Sequence, residues 1–338
     1  MKSHTIIDAH VHISPQFDSA ALTDFFTAGE ARADKACICA VAHSEGISLT
    51  ALALDAKRRA PERFYAFCCP DAAAYSQHTD TLGAHQAAYC EALMQAGCDG
   101  VKMLEGKPQM RKMYPIPDFS SPCWEEYWAW AERSQTPILM HLNDPENFWD
   151  AENAPSFAVQ QGWLYDESYV NNEAQYTQML TVLARHPRLR ICFAHFFFMS
   201  AQLDRLSAIL DAYENLFIDL TPGIEMYENF SRSFDATRAF FTKYHDRIIY
   251  GTDIGGRCVL MGEDKPFNRS ENRRRPEIVQ CFLMGKDEVE ITSDGDFLIG
   301  RAPFTMRCLG LEGDALDEIL SGNFMRFVAA KPRETATD

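Results

Sequence analysis

Two histidines one residue apart lie near the beginning of the sequence, within the run Ile6-Ile7-Asp8-Ala9-His10-Val11-His12. The isoleucines of this run favour a β-strand. Because alternate side chains of a strand point to the same face, His10 and His12 project together. Two imidazoles in that arrangement can hold one metal ion, so the run predicts a metal site.

Other polar residues stand at or near the ends of later apolar runs; these are Lys102, His141, His195 and Asp253. If the apolar runs are parallel strands of one barrel, their C-terminal ends meet at a single cavity. Residues far apart in the sequence then come within coordination distance of one ion. Imidazole nitrogen and carboxylate oxygen suit zinc, and also iron, cobalt or manganese. Each residue alone is a weak signal, and a single histidine at a strand end is more often structural, so the prediction depends on their joint occurrence.

Eight short apolar runs must position these residues, and amphipathic or loop-like segments separate the runs. The predicted strands are residues 5–11, 36–41, 64–69, 99–104, 136–141, 189–195, 216–220 and 247–253. This alternation predicts an α/β fold, a (β/α)8 TIM barrel with long βα loops over its C-terminal face. A doubly wound open sheet is the main alternative, but no GxGxxG motif follows an early strand.

The segments between the strands give further expectations. Residues 105–119, with three prolines, are interpreted as a loop, and residues 122–134 as a helix. The tryptophans of residues 122–134, which are Trp124, Trp128 and Trp130, suggest an exposed surface that could form a homo-oligomer interface. Residues 314–330 are predicted to form a closing helix. No interdomain linker is evident, so residues 1–338 are expected to form one domain.

Composition limits the classes of partner. The chain carries 32 basic and 48 acidic residues, for a formal net charge of −16. That charge argues against a nucleic-acid partner or an anionic membrane surface, although a local basic pocket can still bind an anionic substrate. The N-terminus resembles no signal peptide, and the 11 cysteines include no CxxC pair. We therefore expect a cytoplasmic protein with reduced thiols.

At this point the motifs resemble those of a known family. They are Asp8-Ala9-His10-Val11-His12, Gly100-Val101-Lys102, Met140-His141, Ala194-His195, Tyr250-Gly251-Thr252-Asp253 and the tail Ile319-Leu320-Ser321-Gly322-Asn323-Phe324. Over residues 6–327 the chain is similar to the amidohydrolase superfamily, in particular its amidohydrolase-2 branch. That branch contains metal-dependent hydrolases and decarboxylases built on a TIM barrel.

The resemblance implies a role for each matching residue. His10, His12, His141 and Asp253 would bind one divalent metal, with zinc expected first and manganese, iron or cobalt as alternatives. His195 would lie beside the metal and act in catalysis, together with Asp253. Lys102 stands where some members carry a carboxylated lysine that bridges two metals; His141 and His195 would then hold the second ion. A single ion is the expectation here.

The resemblance and the site chemistry together leave three functions open. The first is a hydrolase that uses a metal-activated water on an amide, ester or lactone of a small, carboxylated molecule. The second is a non-oxidative decarboxylase of an aromatic or unsaturated acid, and the third is a metal-free binding protein. Asn143, Trp149 and Arg257 are candidate substrate-binding residues, and Arg111 and Lys112 are similar candidates. The triplet Arg273-Arg274-Arg275 is interpreted as a solvated basic face.

Overall fold

The fold is described from a computed structural model. The structure describes residues 4–42, 48–78, 80–223, 225–255, 267–292 and 303–329. The predicted substrate residue Arg257 lies outside this range.

The strands form one large parallel sheet and one small hairpin. They are β1 (Ile7–His12), β2 (Lys35–Cys39), β3 (Phe64–Cys68), β4 (Gly100–Gly106), β5 (Ile138–Leu142), β6 (Ile191–Phe193), β7 (Leu216–Asp219), β8 (Ile248–Ile249), β9 (Ile254–Gly255), β10 (Glu288–Ile291) and β11 (Phe304–Arg307). In the described residues, nine strands pair in the order β8-β7-β6-β5-β4-β3-β2-β1-β9, and β10 pairs antiparallel with β11.

Helices connect successive strands of the large sheet, as a βα barrel requires. They are α1 (Ser19–Thr27), α2 (Thr50–Arg59), α3 (Ala74–Gln77), α4 (Leu82–Gln95), α5 (Pro108–Met113), α6 (Glu125–Ser134), α7 (Ser156–Gln160), α8 (Asn172–Arg185), α9 (Leu203–Ala212), α10 (Met226–Arg232), α11 (Phe234–Tyr244), α12 (Arg269–Met284), α13 (Gly313–Asp317) and α14 (Asn323–Val328). None of the helices in the described part of the chain is long and apolar enough to cross a membrane.

The sheet closes because its two outermost members are parts of one strand. Only the segment 250–253 separates β8 from β9, which pair with β7 and β1 respectively. The backbone N–H of Ala9 donates to the carbonyl of Tyr250 (3.0 Å), so β1 also bonds to the segment between them. The predicted eighth strand is therefore present but broken, and the predicted (β/α)8 barrel is confirmed.

A β-bulge in β1 turns the two histidines inward. Ile7 and Ala9 belong to the buried cluster inside the barrel, whereas Val11 packs with the outer helices α1 and α2. The register of β1 against β2 shifts between Asp8 and Val11. Because side chains alternate along a strand, this shift moves the even-numbered residues to the interior from that point. His10 and His12 consequently both face the barrel lumen at its C-terminal end.

The interior cluster is plugged at the opposite end by α14. Phe324 and Phe327 of that helix pack against Ile7, Cys37 and Phe217. The predicted closing helix is thus confirmed, although a π-helical turn at Glu318–Gly322 separates it into α13 and α14.

Two expectations about the connecting segments are wrong, and one helix was not predicted. The predicted loop 105–119 contains the end of β4 and helix α5. The tryptophans of the 122–134 segment are core residues: Trp124 and Trp128 are 0% exposed and Trp130 is 8% exposed. They therefore offer no exposed interface. Arg269 and the arginine triplet lie on helix α12, which was not predicted.

Candidate metal centre

The structure brings His10, His12 and Asp253 together at the C-terminal mouth of the barrel. Within the described residues, one ligand atom from each of the three lies within 4.8 Å of the others. Nε2 of His12 is 3.2 Å from Nε2 of His10 and 3.2 Å from Oδ1 of Asp253. Nε2 of His10 is 3.8 Å from that same carboxylate oxygen. Two imidazole nitrogens and one carboxylate oxygen form a donor set that fits a divalent metal.

The second nitrogen of each of these imidazoles is held by a protein acceptor. Nδ1 of His10 lies 2.9 Å from Oδ2 of Asp219, and Nδ1 of His12 donates to the carbonyl of Cys39 at 3.0 Å. A hydrogen bond at Nδ1 fixes the ring orientation and leaves Nε2 available as a ligand. Thr221 adds a contact from its hydroxyl to Nδ1 of His10 at 3.0 Å.

Lys102 enters the same site from β4. Its Nζ is fully buried and donates to Nε2 of His10 at 2.9 Å. Burial lowers the pKa of Lys102, and the nearby Asp219 and Asp253 act in the opposite direction. The structure thus places the predicted bridging residue in direct contact with a predicted metal ligand.

His195 follows β6 and lies beside His10, with a separation of 5.7 Å between ring centroids. Its backbone N–H donates to Oδ1 of Asp219 (2.8 Å), and its Nδ1 donates to the carbonyl of Pro222 (3.1 Å). The residues His195, Phe196, Phe197 and Phe198 have φ values of 55°, 55°, 60° and 52°. Four consecutive left-handed residues with side chains are unusual, and such backbone strain clusters at functional sites.

His141 lies on the far side of His195, outside the group of three donors. The ring centroids of His141 and His195 are 4.8 Å apart. Nε2 of His141 is 3.4 Å from Oδ1 of Asp144 and is a buried nitrogen with no hydrogen bond among the described residues. The predicted ligand is therefore in the same cavity, but its Nε2 faces a carboxylate.

Asp144 is the centre of a buried polar group that includes Lys107 and Tyr165. Nζ of Lys107 donates to both carboxylate oxygens of Asp144 (2.9 and 2.7 Å), and the Tyr165 hydroxyl donates to Oδ2 at 2.6 Å. Burial acts to raise the pKa of Asp144, but the charge of Lys107 and the contact with His141 outweigh it and lower that pKa. Lys107 also stacks over the Trp163 ring at 4.4 Å.

Burial favours the neutral form of the histidines. It lowers the pKa of His10 well below its usual value, with a further contribution from the charge of Lys102. Burial likewise lowers the pKa of His141 and of His195 to about 4. Neutral imidazole is the form that coordinates a metal. For Asp253, desolvation is outweighed by the hydrogen bond and charge of His12, which hold its pKa well below the usual range.

The candidate substrate residues have different surroundings. Asn143 is fully buried, where its amide donates to the carbonyl of Asn172 (3.4 Å) and its Oδ1 accepts from Gln175 (2.9 Å). Trp149 is half-buried and packs against Tyr165, with ring centroids 4.7 Å apart. Substrate contact by Asn143 and Trp149 stays a prediction.

The other basic candidates are held by protein groups. Arg111 is buried and donates to Gln178 (2.8 Å) and Asp118 (3.0 Å), and Lys112 donates to the carbonyl of Ser168 (3.3 Å). The interpretation of the arginine triplet as a solvated face is wrong for Arg275, which is 1% exposed. On helix α12 that position faces inward.

Sequence reasoning missed Asp219 and Lys107. Asp219 ends β7, at the same phase of the βα repeat as the predicted ligands, and this position is the signal that could have identified it. Lys107 follows directly after β4, in a segment interpreted as a loop. Its pairing with Asp144 depends on the packing of two loops and has no short-range signal.

A closed parallel βα barrel with imidazoles and a carboxylate at its C-terminal mouth defines a class of metal-dependent barrel proteins. A family model described as amidohydrolase, that of the amidohydrolase-2 branch, matches residues 7–255. The chain belongs to this amidohydrolase family, whose members are metal-dependent enzymes. A comparison with curated protein sequences gives no significant match.

Solved structures share the fold at low sequence identity. An uncharacterised TIM-barrel protein from Bordetella bronchiseptica is 14% identical with a TM-score of 0.56, and the match covers 96% of this chain and 98% of that chain. A probable 2-pyrone-4,6-dicarboxylic acid hydrolase from Acinetobacter baumannii, with citric acid bound, is 11% identical with a TM-score of 0.53 and coverages of 96% and 99%. A dihydroxybenzoic acid decarboxylase from Polaromonas sp. JS666, with bound manganese and the inhibitor 2-nitroresorcinol, is 12% identical with a TM-score of 0.55 and coverages of 96% and 97%.

Proposed function

We propose that this chain is a metal-dependent hydrolase that cleaves an amide, ester or lactone bond of a small, carboxylated molecule. The observation that supports this proposal most directly is the group formed by His10, His12 and Asp253. Its imidazoles present Nε2 to a common point because Asp219 and the Cys39 carbonyl hold their Nδ1 atoms. Ligands oriented in advance by neighbouring groups are typical of a functional metal centre.

One divalent ion is proposed, with zinc expected first and manganese, iron or cobalt as alternatives. His141 is proposed as a further ligand, since its buried Nε2 has no hydrogen bond among the described residues. When bound, such an ion lowers the pKa of water and polarises a carbonyl group. The ion would take the lone pair of Nε2 of His10, to which Lys102 donates in this structure.

Asp253 is proposed as the general base that accepts a proton from the attacking water and passes it to the leaving group. Its lowered pKa keeps the carboxylate ionised at neutral pH. His195 is proposed to position the attacking water, from which its Nε2 accepts a hydrogen bond. Its pKa is lowered to about 4 and its Nδ1 donates to the Pro222 carbonyl, so the ring is neutral and Nε2 carries the lone pair.

A carboxylated substrate is proposed because the buried amine of Lys102 lies beside His10, and a bound divalent ion would add positive charge there. The charge of Lys107 is already paired with Asp144. The aromatic group of Trp149, Trp163 and Tyr165 packs on the loop after β5. Asn143, Trp149 and Arg257 are kept as proposed substrate-binding residues. The similar hydrolase from A. baumannii holds citric acid, a small carboxylic acid.

Non-oxidative decarboxylation is the second candidate. The similar barrel from Polaromonas is a decarboxylase with bound manganese, so this fold carries both reactions. The hydrolase is preferred because Asp253 is ionised beside His12, which suits a base, whereas decarboxylation requires a proton donor at carbon.

A product analysis distinguishes the two reactions. Protein loaded with zinc or manganese is incubated with a panel of carboxylated lactones, esters and amides and with a panel of aromatic and unsaturated acids. Acid release is followed by titration and CO2 by a coupled assay. We expect acid release from the first panel, falling by about 100-fold or more in Asp253→Asn, which removes the base.

The matched control is Asp246→Asn, at a position with a side chain 54% exposed, and it should keep full activity. Release of CO2 from the second panel with no hydrolysis of the first would establish the decarboxylase instead. Undiminished hydrolysis by Asp253→Asn would contradict the assigned role.

A further inference from the structure

Asp253 has an unusual backbone. Its φ is 57°, in the left-handed region that residues with side chains rarely adopt. It lies in segment 250–253, where the eighth strand is broken between β8 and β9. The direction of the Asp253 carboxylate therefore depends on whatever holds this backbone conformation.

Both polar backbone atoms of Asp253 are engaged. Its N–H donates to the carbonyl of His10 at 2.9 Å. Its carbonyl accepts a hydrogen bond from Nη1 of Arg275. The preceding residue is also held, because the N–H and hydroxyl of Thr252 donate to Asp8 at 3.1 and 2.5 Å.

Arg275 reaches this carbonyl from helix α12, which follows the eighth strand. Its side chain is 1% exposed, and its Nη2 donates to Oε1 of Glu271 at 2.6 Å, one helical turn earlier. The Glu271 side chain is itself only 8% exposed. A buried guanidinium is costly unless its donors and charge are matched, and here a carboxylate and a carbonyl are among its partners.

The same helix holds the chain a second time, two residues further on. Oδ1 of Asn272 accepts from the N–H of Gly255 at 2.6 Å, and Nδ2 of Asn272 donates back to the Asn268 carbonyl at 2.7 Å. Gly255 has a φ of +121°, and a Cβ at this position would overlap the backbone of His12. Helix α12 thus fixes the broken strand on both sides of Ile254.

We propose that Arg275 is a positioning residue for the metal centre: by holding the carbonyl of Asp253, it keeps the Asp253 carboxylate directed at His12. The proposal rests on the proposed function, since it assumes that Asp253 is a metal ligand. It assigns to one member of the arginine triplet a role that the sequence pattern does not reveal.

The test measures affinity for Zn²⁺ alone, by competition with a chromogenic chelator, on the full-length protein at a temperature at which circular dichroism shows every variant folded. Arg275→Ala is expected to weaken Zn²⁺ binding by about 10- to 100-fold, the usual effect of losing a group that orients a ligand. Arg273→Ala is the matched control on the same helix, because the Arg273 side chain is 59% exposed. It should bind Zn²⁺ as the wild type does.

Chemical rescue of the Arg275→Ala variant distinguishes a role in positioning Asp253 from a role in the stability of the fold. Millimolar methylguanidinium should restore Zn²⁺ affinity to Arg275→Ala, because it can occupy the vacated position between Glu271 and the Asp253 carbonyl. Arg275→Lys should be intermediate, since an ammonium lacks the two-sided fork of a guanidinium. A group that only stabilises the fold would change the melting temperature and leave the Zn²⁺ affinity of folded protein unchanged.

The outcomes also separate this inference from the function on which it rests. If the wild type binds no Zn²⁺, the proposed metal site itself fails. If the wild type binds Zn²⁺ and folded Arg275→Ala binds it within twofold, only the positioning role of Arg275 fails. Should Arg275→Ala not fold because the buried Glu271 has lost its ion pair with Arg275, the double variant Arg275→Ala with Glu271→Gln gives the same readings.

Discussion

In the two histidines of the site, one ring nitrogen is held by the protein and the other is directed at the proposed metal position. In His10 and His12, Nδ1 is bound by Asp219 and the Cys39 carbonyl respectively, and Nε2 faces the centre of the site. Asp219 does more than hold His10, because its other oxygen accepts from the backbone N–H groups of His195 and Thr221 at 2.8 and 3.1 Å. One buried carboxylate thereby connects the ends of β1, β6 and β7.

Asp219→Asn tests this connection. Asparagine keeps the oxygen that accepts from the backbone of His195 and Thr221, but its amide nitrogen cannot accept a hydrogen bond from Nδ1 of His10. We expect metal affinity to fall by about 10- to 100-fold, because the orientation of the His10 ring is lost. Isothermal titration of the metal-free protein with Zn²⁺ measures this change.

Asp211→Asn serves as the control, since Asp211 pairs with Lys243 on the surface and its side chain is 54% exposed. Equal Zn²⁺ affinities of Asp219→Asn and the wild type would show that Asp219 has no part in orienting His10.

At the scale of elements, helix α6 is a structural part of the barrel wall. Trp128 is fully buried, and its indole N–H donates to the carbonyl of Phe119 at 2.9 Å. Trp124 and Tyr127 pack against it, with ring centroids 5.9 and 5.0 Å away. The aromatic residues of this helix therefore contribute to the core and are unavailable to a partner subunit.

Trp128→Ala should destabilise the fold by about 3–5 kcal/mol, the typical cost of removing a buried tryptophan. Urea unfolding followed by circular dichroism measures the free energy of unfolding. Val159→Ala, at a residue 50% exposed, should change it by no more than about 0.5 kcal/mol. A loss below about 1 kcal/mol in Trp128→Ala would contradict its place in the core.

Regular elements with strong apolar periodicity were predictable from the sequence. The helix predicted over residues 122–134 agrees with α6 and the short 3-10 turn before it, and the first seven strands agree within a few residues at each end. These segments bury one face or both, so their hydrophobic pattern carries the information. The inward direction of His10 and His12 was also predicted, although the bulge between Asp8 and Val11 that permits it was not.

The features that were not predictable depend on contacts between distant residues. The left-handed turn at His195–Phe198 contains no glycine and is held by the Tyr176 hydroxyl, which donates to the Phe197 carbonyl at 3.0 Å. Helix α12 contains Pro276 and many arginines, which favour a loop interpretation. The Trp-rich segment was assigned to the surface because sequence alone does not reveal what covers a helix.

At the scale of the whole molecule, the barrel brings residues from opposite ends of the chain to one point. β1 contributes His10 and His12, and the break between β8 and β9 contributes Asp253. Closure of the sheet makes the first and last strands neighbours despite their separation in the sequence. We propose that the full chain, residues 1–338, acts as one domain with this single metal centre at its mouth.

The most direct test of the central claim is anomalous diffraction from crystals of the full chain loaded with Zn²⁺ or Mn²⁺. The account predicts a strong anomalous peak about 2.0–2.3 Å from Nε2 of His10, Nε2 of His12 and a carboxylate oxygen of Asp253. That peak should be absent from crystals of Asp253→Ala that were soaked in the same way. A fully loaded crystal with its ion bound elsewhere, and with no peak among these three side chains, would contradict the account.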